Sequence, residues 1–170
     1  MSLNFIPDYR FETFDQATAE FLKKIGVKGV ILDIDNTLEP YEHSDPGEHV
    51  VKWLNSLKEA GIKTAIVSNN NKERVERFNK NLNMPIYFKA GKPFKKNICL
   101  AMKDLGTDRN TTVFMGDQVF TDVWGAHNAS IKAILVPPIN DKRDLFTKFK
   151  RLLERPFLKI YNKRNKIKEN

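Results

Sequence analysis

The stretch Val30-Ile31-Leu32-Asp33-Ile34-Asp35-Asn36-Thr37-Leu38 decides the fold of this chain, because an apolar run ends there in two carboxylates. Its bulky, largely β-branched start is typical of a strand that is covered on both faces in a parallel sheet. Asp33 and Asp35 are two residues apart and therefore project to the same side. Ligands bind outside the carboxyl ends of such strands, which makes both carboxylates candidates for chemistry. The alternative is that Asp35, Asn36 and Thr37 only satisfy backbone N–H groups at a turn.

The same design, an apolar run followed by polar residues, recurs three times along the chain. The runs 65–67, 86–88 and 113–115 lead to Ser68-Asn69-Asn70, to Lys92-Pro93 and to Gly116-Asp117. Segments with helical periodicity separate them. This alternation predicts an α/β protein with a Rossmann-like parallel sheet and helices on both faces.

These elements, in this order, resemble the haloacid dehalogenase (HAD) superfamily. In that family Asp-x-Asp-x-Thr-Leu, a Ser or Thr, a Lys and Gly-Asp-x-x-x-x-Asp follow one another, and the resemblance covers about residues 30–136. It implies a Rossmann-like HAD fold. Many members insert a cap domain between the positions of Asp33 and Ser68 or between those of Ser68 and Lys92. These intervals are 35 and 24 residues long here, too short for a cap, so none is expected.

The resemblance implies a phosphatase in which Asp33 is the nucleophile and forms an aspartyl-phosphate intermediate. Asp35 would protonate the leaving alkoxide and then activate water. An aspartate at this position favours phosphoryl transfer over dehalogenation. Lys92 is expected to pair with the nucleophile and the phosphoryl oxygens, and Ser68 to hydrogen-bond the phosphate, which makes both catalytic candidates.

A Mg²⁺ cofactor is implied in the same way. Carboxylate oxygens are ligands that Mg²⁺ takes while it retains several waters. The expected metal residues are Asp33, Asp35 through its backbone carbonyl, Asp117 and, in support of these ligands, Asp122. The expected substrate-binding residues are Thr37, Ser68, Asn69, Asn70 and Lys92.

Length and composition indicate one domain, since the chain has 170 residues of which 41% are hydrophobic. We expect residues 1–28 to be an arm and helix packed on the core, residues 29–155 to be the HAD core, and residues 156–170 to be a basic tail. The final helix is predicted from Asp144 to about Leu153, before Pro156. The charged helix at 71–82 is interpreted as having a solvated basic face, which includes Arg74.

The net charge of +8 is concentrated at the end of the chain, where residues 148–170 carry +7. Such a tail fits peripheral contact with an anionic membrane, contact with nucleic acid, or a disordered solubilising terminus. The aromatic N-terminal arm either packs on the domain or meets a membrane interface. No stretch of about 20 residues is apolar enough to cross a bilayer, and a signal-peptide pattern is lacking. A protein that is cytoplasmic, or peripheral at the inner face of the membrane, is therefore expected.

The partner implied by the motifs is a phosphorylated substrate. The short, capless pattern with Asp-Ile-Asp-Asn-Thr-Leu, Ser-Asn-Asn, Gly-Lys-Pro and Gly-Asp-Gln-x-x-Thr-Asp resembles the YqeG-type HAD phosphatases. Their relatives among the phosphatidylglycerophosphate phosphatases imply a membrane phospholipid as substrate. The alternatives are a phosphatase for nucleic-acid ends or for a small phosphometabolite, and a non-catalytic HAD-fold adaptor.

Overall fold

The computed structural model describes residues 3–140 and 145–168, with side chains described for 4–140 and 152–165. Its centre is a six-stranded sheet in which all neighbouring strands are parallel. In chain order the strands are β1 (Tyr9–Arg10), β2 (Gly29–Leu32), β3 (Lys63–Val67), β4 (Ile86–Tyr87), β5 (Thr112–Gly116) and β6 (Lys132–Leu135). Their spatial order is β1-β6-β5-β2-β3-β4, so β2 lies centrally between β5 and β3. The predicted α/β fold with a Rossmann-like sheet is confirmed.

Six α-helices within the described residues connect or flank these strands. They are α1 (Ala19–Lys24), α2 (Glu48–Glu59), α3 (Lys72–Asn79), α4 (Lys96–Asp104), α5 (Trp124–Asn128) and α6 (Leu145–Lys168). Between β2 and β3 the chain forms one loop and α2, and between β3 and β4 it forms only α3. Neither interval contains a cap domain, so the carboxyl edge of the sheet is left open.

Alternate residues of β2 face opposite sides of the sheet. Val30 and Leu32 belong to one apolar cluster, with buried residues of α1, α2 and α3. Ile31 belongs to the second cluster, with buried residues of α4 and α5. All four residues of β2 are buried, which explains why this strand is apolar throughout instead of alternating with polar residues. Helices cover both faces, and the core holds β2 rigidly beneath the carboxylates that follow it.

The N-terminal segment adds an edge strand that the sequence did not predict. β1 pairs in parallel with β6, and two residues are too short to show the alternation by which strands are recognised. Phe14 and Leu22 are buried in the first apolar cluster, and Phe11 and Phe21 pack against it. The aromatic side chains of this segment therefore lie against the protein.

The last helix is longer than predicted. The sequence placed its end at about Leu153, yet α6 continues through Pro156 to Lys168. The expected start, Asp144, lies outside the described residues. Proline cannot donate an intrahelical hydrogen bond and disfavours a helix interior, but Phe157 packs against Phe5 with ring centroids 5.1 Å apart. This packing after the proline favours continuation of the helix.

α6 extends from one edge of the sheet towards the other. Near its middle, the buried Glu154 accepts a hydrogen bond of 2.9 Å from the amide of Val119, in the π-helical turn after β5. Further on, Arg164 lines a cleft of about 830 Å³ together with Arg109 and Lys132. Arg109 precedes β5 and Lys132 begins β6, so this cleft lies at the amino edge of the sheet. No helix in the described part of the chain is both long and apolar enough to span a membrane.

Candidate functional site

The polar residues that follow four strands converge at the carboxyl edge of the sheet. Asp33, Ser68 and Asp117 come directly after β2, β3 and β5. A cleft of about 250 Å³ is lined by Asp33, Asp35, Tyr41, Ser68, Asn69, Asn70 and Gln118. The larger cleft beside Arg109 lies at the other edge and contains none of the predicted site residues. We place the candidate site in the smaller cleft, because Asp33 and Asp35 meet the polar loop 68–70 there.

Lys92 is the positive centre of this site. Its Nζ lies 2.9 Å from Asp33 Oδ1 and 2.8 Å from Asp122 Oδ1. Burial alone would lower the pKa of Lys92, but Asp122 and Asp33 outweigh it and raise that pKa. Burial also raises the pKa of Asp33, Lys92 lowers it, and repulsion by Asp122 and Asp117 raises it, so that it lies at about 7. The pKa of the Asp33 carboxyl is therefore well above its ordinary value.

The donor set fits a divalent cation. Asp33, Asp117 and Asp122 are buried, and each offers a carboxylate oxygen within 4.8 Å of the other two. Three carboxylates against the single ammonium of Lys92 leave two formal negative charges in this group. Oxygen ligands with this excess of negative charge are what a hard divalent ion requires. Thr37, a predicted substrate-binding residue, lies beside this group, and its Oγ1 donates to Asp117 Oδ1 at 3.2 Å.

The turn after β5 holds Asp122 in position. The amide of Gln118 donates to Asp122 Oδ2 at 2.9 Å, which leaves Oδ1 facing Lys92. A Cβ at Gly116 would collide with the Asp122 carboxylate. Glycine is therefore needed for close approach of this side chain to the end of the strand.

The loop after β3 lines the cleft with Ser68, Asn69 and Asn70. Ser68 Oγ accepts from the amide of Asn70 at 3.1 Å, and the Asn71 side chain caps α3. Asn69 fixes the position of Lys92, since its Oδ1 accepts from the Lys92 amide at 2.8 Å and its Nδ2 donates to the Lys92 carbonyl at 3.2 Å. The structure thus brings Ser68, Asn69 and Lys92 together, as the sequence predicted.

Asp35 has a partner that the sequence did not reveal. Arg74 Nε donates to Asp35 Oδ1 at 3.1 Å, and Arg74 Nη2 lies 3.0 Å from the same oxygen. Asn70 Nδ2 donates to Asp35 Oδ2 at 2.9 Å. Only 10% of each side chain of the Asp35–Arg74 pair is exposed. The prediction of a solvated basic face is wrong for Arg74, because the third position of α3 points back towards the end of β2.

Comparisons with known proteins agree with this geometry. The model of the haloacid dehalogenase-like hydrolases matches residues 9–136. A Bacillus subtilis (strain 168) protein named probable phosphatase YqeG is 36% identical over 163 residues, which cover 96% of this chain and 95% of that protein.

Two solved structures share the fold. An uncharacterised protein from Listeria monocytogenes serotype 4b gives a TM-score of 0.54 at 23% identity, covering 69% of this chain and 85% of that one. The cobalt-bound deoxy-D-mannose-octulosonate 8-phosphate phosphatase from Haemophilus influenzae gives 0.50 at 18% identity, covering 82% and 92%. At these identities the two structures are evidence for the fold alone.

Proposed function

The chain belongs to the haloacid dehalogenase-like hydrolases and is a phosphatase of that family, and from this premise we propose that it hydrolyses phosphomonoesters through an aspartyl-phosphate on Asp33. The observation that supports this most directly is the position of Asp33. It lies at the end of β2, contacts Lys92 at 2.9 Å and lines the same cleft as Ser68. A nucleophile, a cation and a hydrogen-bond donor are the groups that phosphoryl transfer requires.

Four residues carry the proposed chemistry. Asp33 Oδ attacks phosphorus while the ester oxygen leaves with a proton from Asp35. Asp35 then accepts a proton from the water that attacks the phosphorus of the aspartyl-phosphate, which releases phosphate and restores the Asp33 carboxylate. Lys92 balances the charge of the nucleophile. The Ser68 hydroxyl holds a phosphoryl oxygen.

We propose Mg²⁺ as the cofactor, held by Asp33 and Asp117 and by the Asp35 backbone carbonyl, with Asp122 as a supporting residue. When bound, it supplies positive charge to the phosphoryl oxygens. Thr37 and Lys92 would keep their present contacts, since Thr37 orients Asp117 and Lys92 orients Asp122.

The proposed substrate is phosphatidylglycerophosphate, or another large substrate whose phosphate is exposed. The supporting structural feature is the open carboxyl edge, because neither interval that could carry a cap does so. A phosphate that remains attached to a large body can reach Asp33 only through such an opening. The resemblance of the motifs to lipid-phosphate phosphatases supplies the chemical class.

Trapping the intermediate tests the mechanism. After rapid mixing with a radiolabelled phosphate ester and an acid quench, wild-type protein should carry label on Asp33. Asp33→Asn should be unlabelled and inactive, whereas Asp35→Asn should retain label for longer because water is no longer activated. Asp45→Asn is a matched control, since that carboxylate is exposed and pairs with Arg77. Full phosphatase activity in Asp33→Asn would dispose of the mechanism.

A substrate comparison tests the second half of the proposal. Purified protein with Mg²⁺ is assayed on phosphatidylglycerophosphate in mixed micelles, on a phosphorylated oligonucleotide end and on small sugar phosphates. The lipid should give the highest kcat/KM. A higher value for the oligonucleotide or a sugar phosphate would replace the lipid, and no release of phosphate from any of them would favour the adaptor.

A further inference from the structure

We propose that the carboxyl edge of the sheet is a docking surface for anionic phospholipid membranes, formed by exposed apolar side chains and lysines around the candidate site. This inference rests on the proposed function, because docking would bring the site to a lipid substrate. Binding of the protein to the membrane does not itself depend on catalysis. Exposed large apolar residues are expensive to leave in water and mark interaction sites when they gather in one area.

Four of the exposed large apolar residues lie on loops at the edge that carries the site. We call Tyr41, Phe88, Phe94 and Ile139 the apolar rim; their exposed fractions are 54%, 37%, 77% and 48%. Tyr41 lines the cleft with Asp33. The other three lie on loops that follow β4 or β6.

Backbone hydrogen bonds connect the rim to the site. The Ile139 amide donates to the Asn36 carbonyl at 3.0 Å, beside Asp35. The amide of Lys89, next to Phe88, donates to the Asn70 carbonyl at 2.8 Å. The rim is therefore fixed to the same loops that hold the site, so that docking would place the cleft at the lipid surface.

Lysines flank the two rim phenylalanines. Phe88-Lys89 and Phe94-Lys95-Lys96 are all exposed, and residues 88–96 contain no acidic residue. Aromatic rings at the headgroup level combined with cations towards anionic lipids are the usual composition of an interfacial anchor. Charge complementarity at Phe88 and Phe94 therefore points to an anionic membrane.

Single-stranded nucleic acid is less suited to this surface. Bases stack on aromatic rings, which would use Phe88, Phe94 and Tyr41 but not Ile139. Leu152 and Leu153 are also exposed, at 53% and 46%, and they precede Glu154, which is bonded to the turn after β5. Aliphatic side chains at the same edge fit a lipid interface better than a base.

The structure also makes this surface distinguishable from the basic end of α6. Arg164 lies with Arg109 and Lys132 at the amino edge, away from the rim. The two surfaces lie at opposite edges of the sheet, and substitutions in one leave the other unchanged. Substitutions in the apolar rim and substitutions at the basic end of α6 can therefore be tested separately.

Vesicle sedimentation tests the proposal with the full chain carrying Asp33→Asn, so that turnover plays no part. The vesicles contain phosphatidylcholine alone or phosphatidylcholine with phosphatidylglycerol. Binding to the anionic vesicles should fall about five-fold for each lysine removed in Lys95→Gln with Lys96→Gln. It should fall about ten-fold in Phe94→Ser.

Matched controls separate the rim from general charge and apolarity. Lys58→Gln with Lys103→Gln removes two exposed lysines at the far ends of α2 and α4, and Leu100→Ser removes an exposed apolar side chain from α4. Both should bind as the parent does. Equal sedimentation of the rim variants and the parent, or a loss caused only by Lys163→Gln with Arg164→Gln, would overturn the proposal.

Two further measurements distinguish failure of the rim from failure of the proposed function. In the wild-type background the rim variants should hydrolyse a small phosphate ester in solution at the wild-type rate, and lose activity only on vesicle-bound lipid phosphate. Rim-dependent vesicle binding without any phosphatase activity would sustain the rim and reject the proposed function. Hydrolysis of lipid phosphate unaffected by the rim variants, or rim-dependent capture of a single-stranded oligonucleotide without vesicle binding, would reject the rim.

Discussion

Replacing Lys92 with methionine tests whether one ammonium balances the buried carboxylates. Only 2% of its side chain is exposed, and its Nζ lies 2.9 Å from Asp33 and 2.8 Å from Asp122. Methionine keeps an apolar stem and removes the charge. Loss of one partner from a buried pair costs about 3–5 kcal/mol, because the remaining charge stays buried without compensation. We expect the free energy of unfolding to fall by about this amount at alkaline pH.

The loss should depend on pH in a defined direction. The pKa of Asp33 is already raised to about 7 with Lys92 in place, and removal of the ammonium raises it further. A carboxyl with a raised pKa in the folded state stabilises the fold at pH values below its unfolded pKa of about 3.9. That contribution disappears as the pH rises through the folded pKa. Lys92→Met should therefore be least stable relative to wild type above about pH 7, and recover on acidification.

Urea unfolding measures this effect at about pH 5 and about pH 8, in EDTA and in excess Mg²⁺. Lys95→Met is the matched control, since Lys95 is exposed and its substitution should change the free energy of unfolding by less than about 0.5 kcal/mol. A cation that binds only the folded state stabilises it, so Mg²⁺ should restore more stability to Lys92→Met than to the control. Equal midpoints for the two variants at about pH 8 would refute the reasoning.

Three further predictions concern the surroundings of the site. Arg74→Lys should lower kcat on a small phosphate ester about ten-fold, because a lysine cannot reproduce the guanidinium fork. The control Arg77→Lys, at an exposed position, should leave kcat unchanged. Equal kcat values for these two variants would contradict the role of Arg74. Glu154→Gln should lower the free energy of unfolding in urea by about 1 kcal/mol, because a neutral oxygen accepts the Val119 hydrogen bond more weakly; an unchanged midpoint would contradict this. The affinity for Mg²⁺, measured by calorimetric titration, should weaken below about pH 7, where protons compete with the cation for Asp33. A constant affinity between about pH 6 and pH 8 would exclude Asp33 as a ligand.

The sequence predicted the convergence of the site because parallel strands align their carboxyl ends. Asp33, Ser68 and Asp117 each follow an apolar run, and the only missing information was which strands are neighbours. Once β2 lies between β3 and β5, these side chains meet without any further assumption. Lys92 was predictable for the same reason, since it follows the short strand β4.

The contacts that the sequence did not reveal depend on where a side chain points and on how a helix docks on the core. Arg74 lies in a helix whose cations recur at 72, 74, 77 and 80, and this pattern is also that of a solvated face. Its position three residues after the cap Asn71 was the available signal, because side chains in the first turn lean towards the start of a helix. Glu154 gave no signal, since a single carboxylate among many charges shows its burial only when α6 docks on the core.

Two carboxylates two residues apart are held by different cations. Lys92 reaches Asp33 from the loop after β4, whereas Arg74 reaches Asp35 from α3. Asn70 connects the two halves, since its amide donates to Ser68 Oγ and its side chain donates to Asp35. The proposed nucleophile and the proposed proton donor therefore have separate counter-charges.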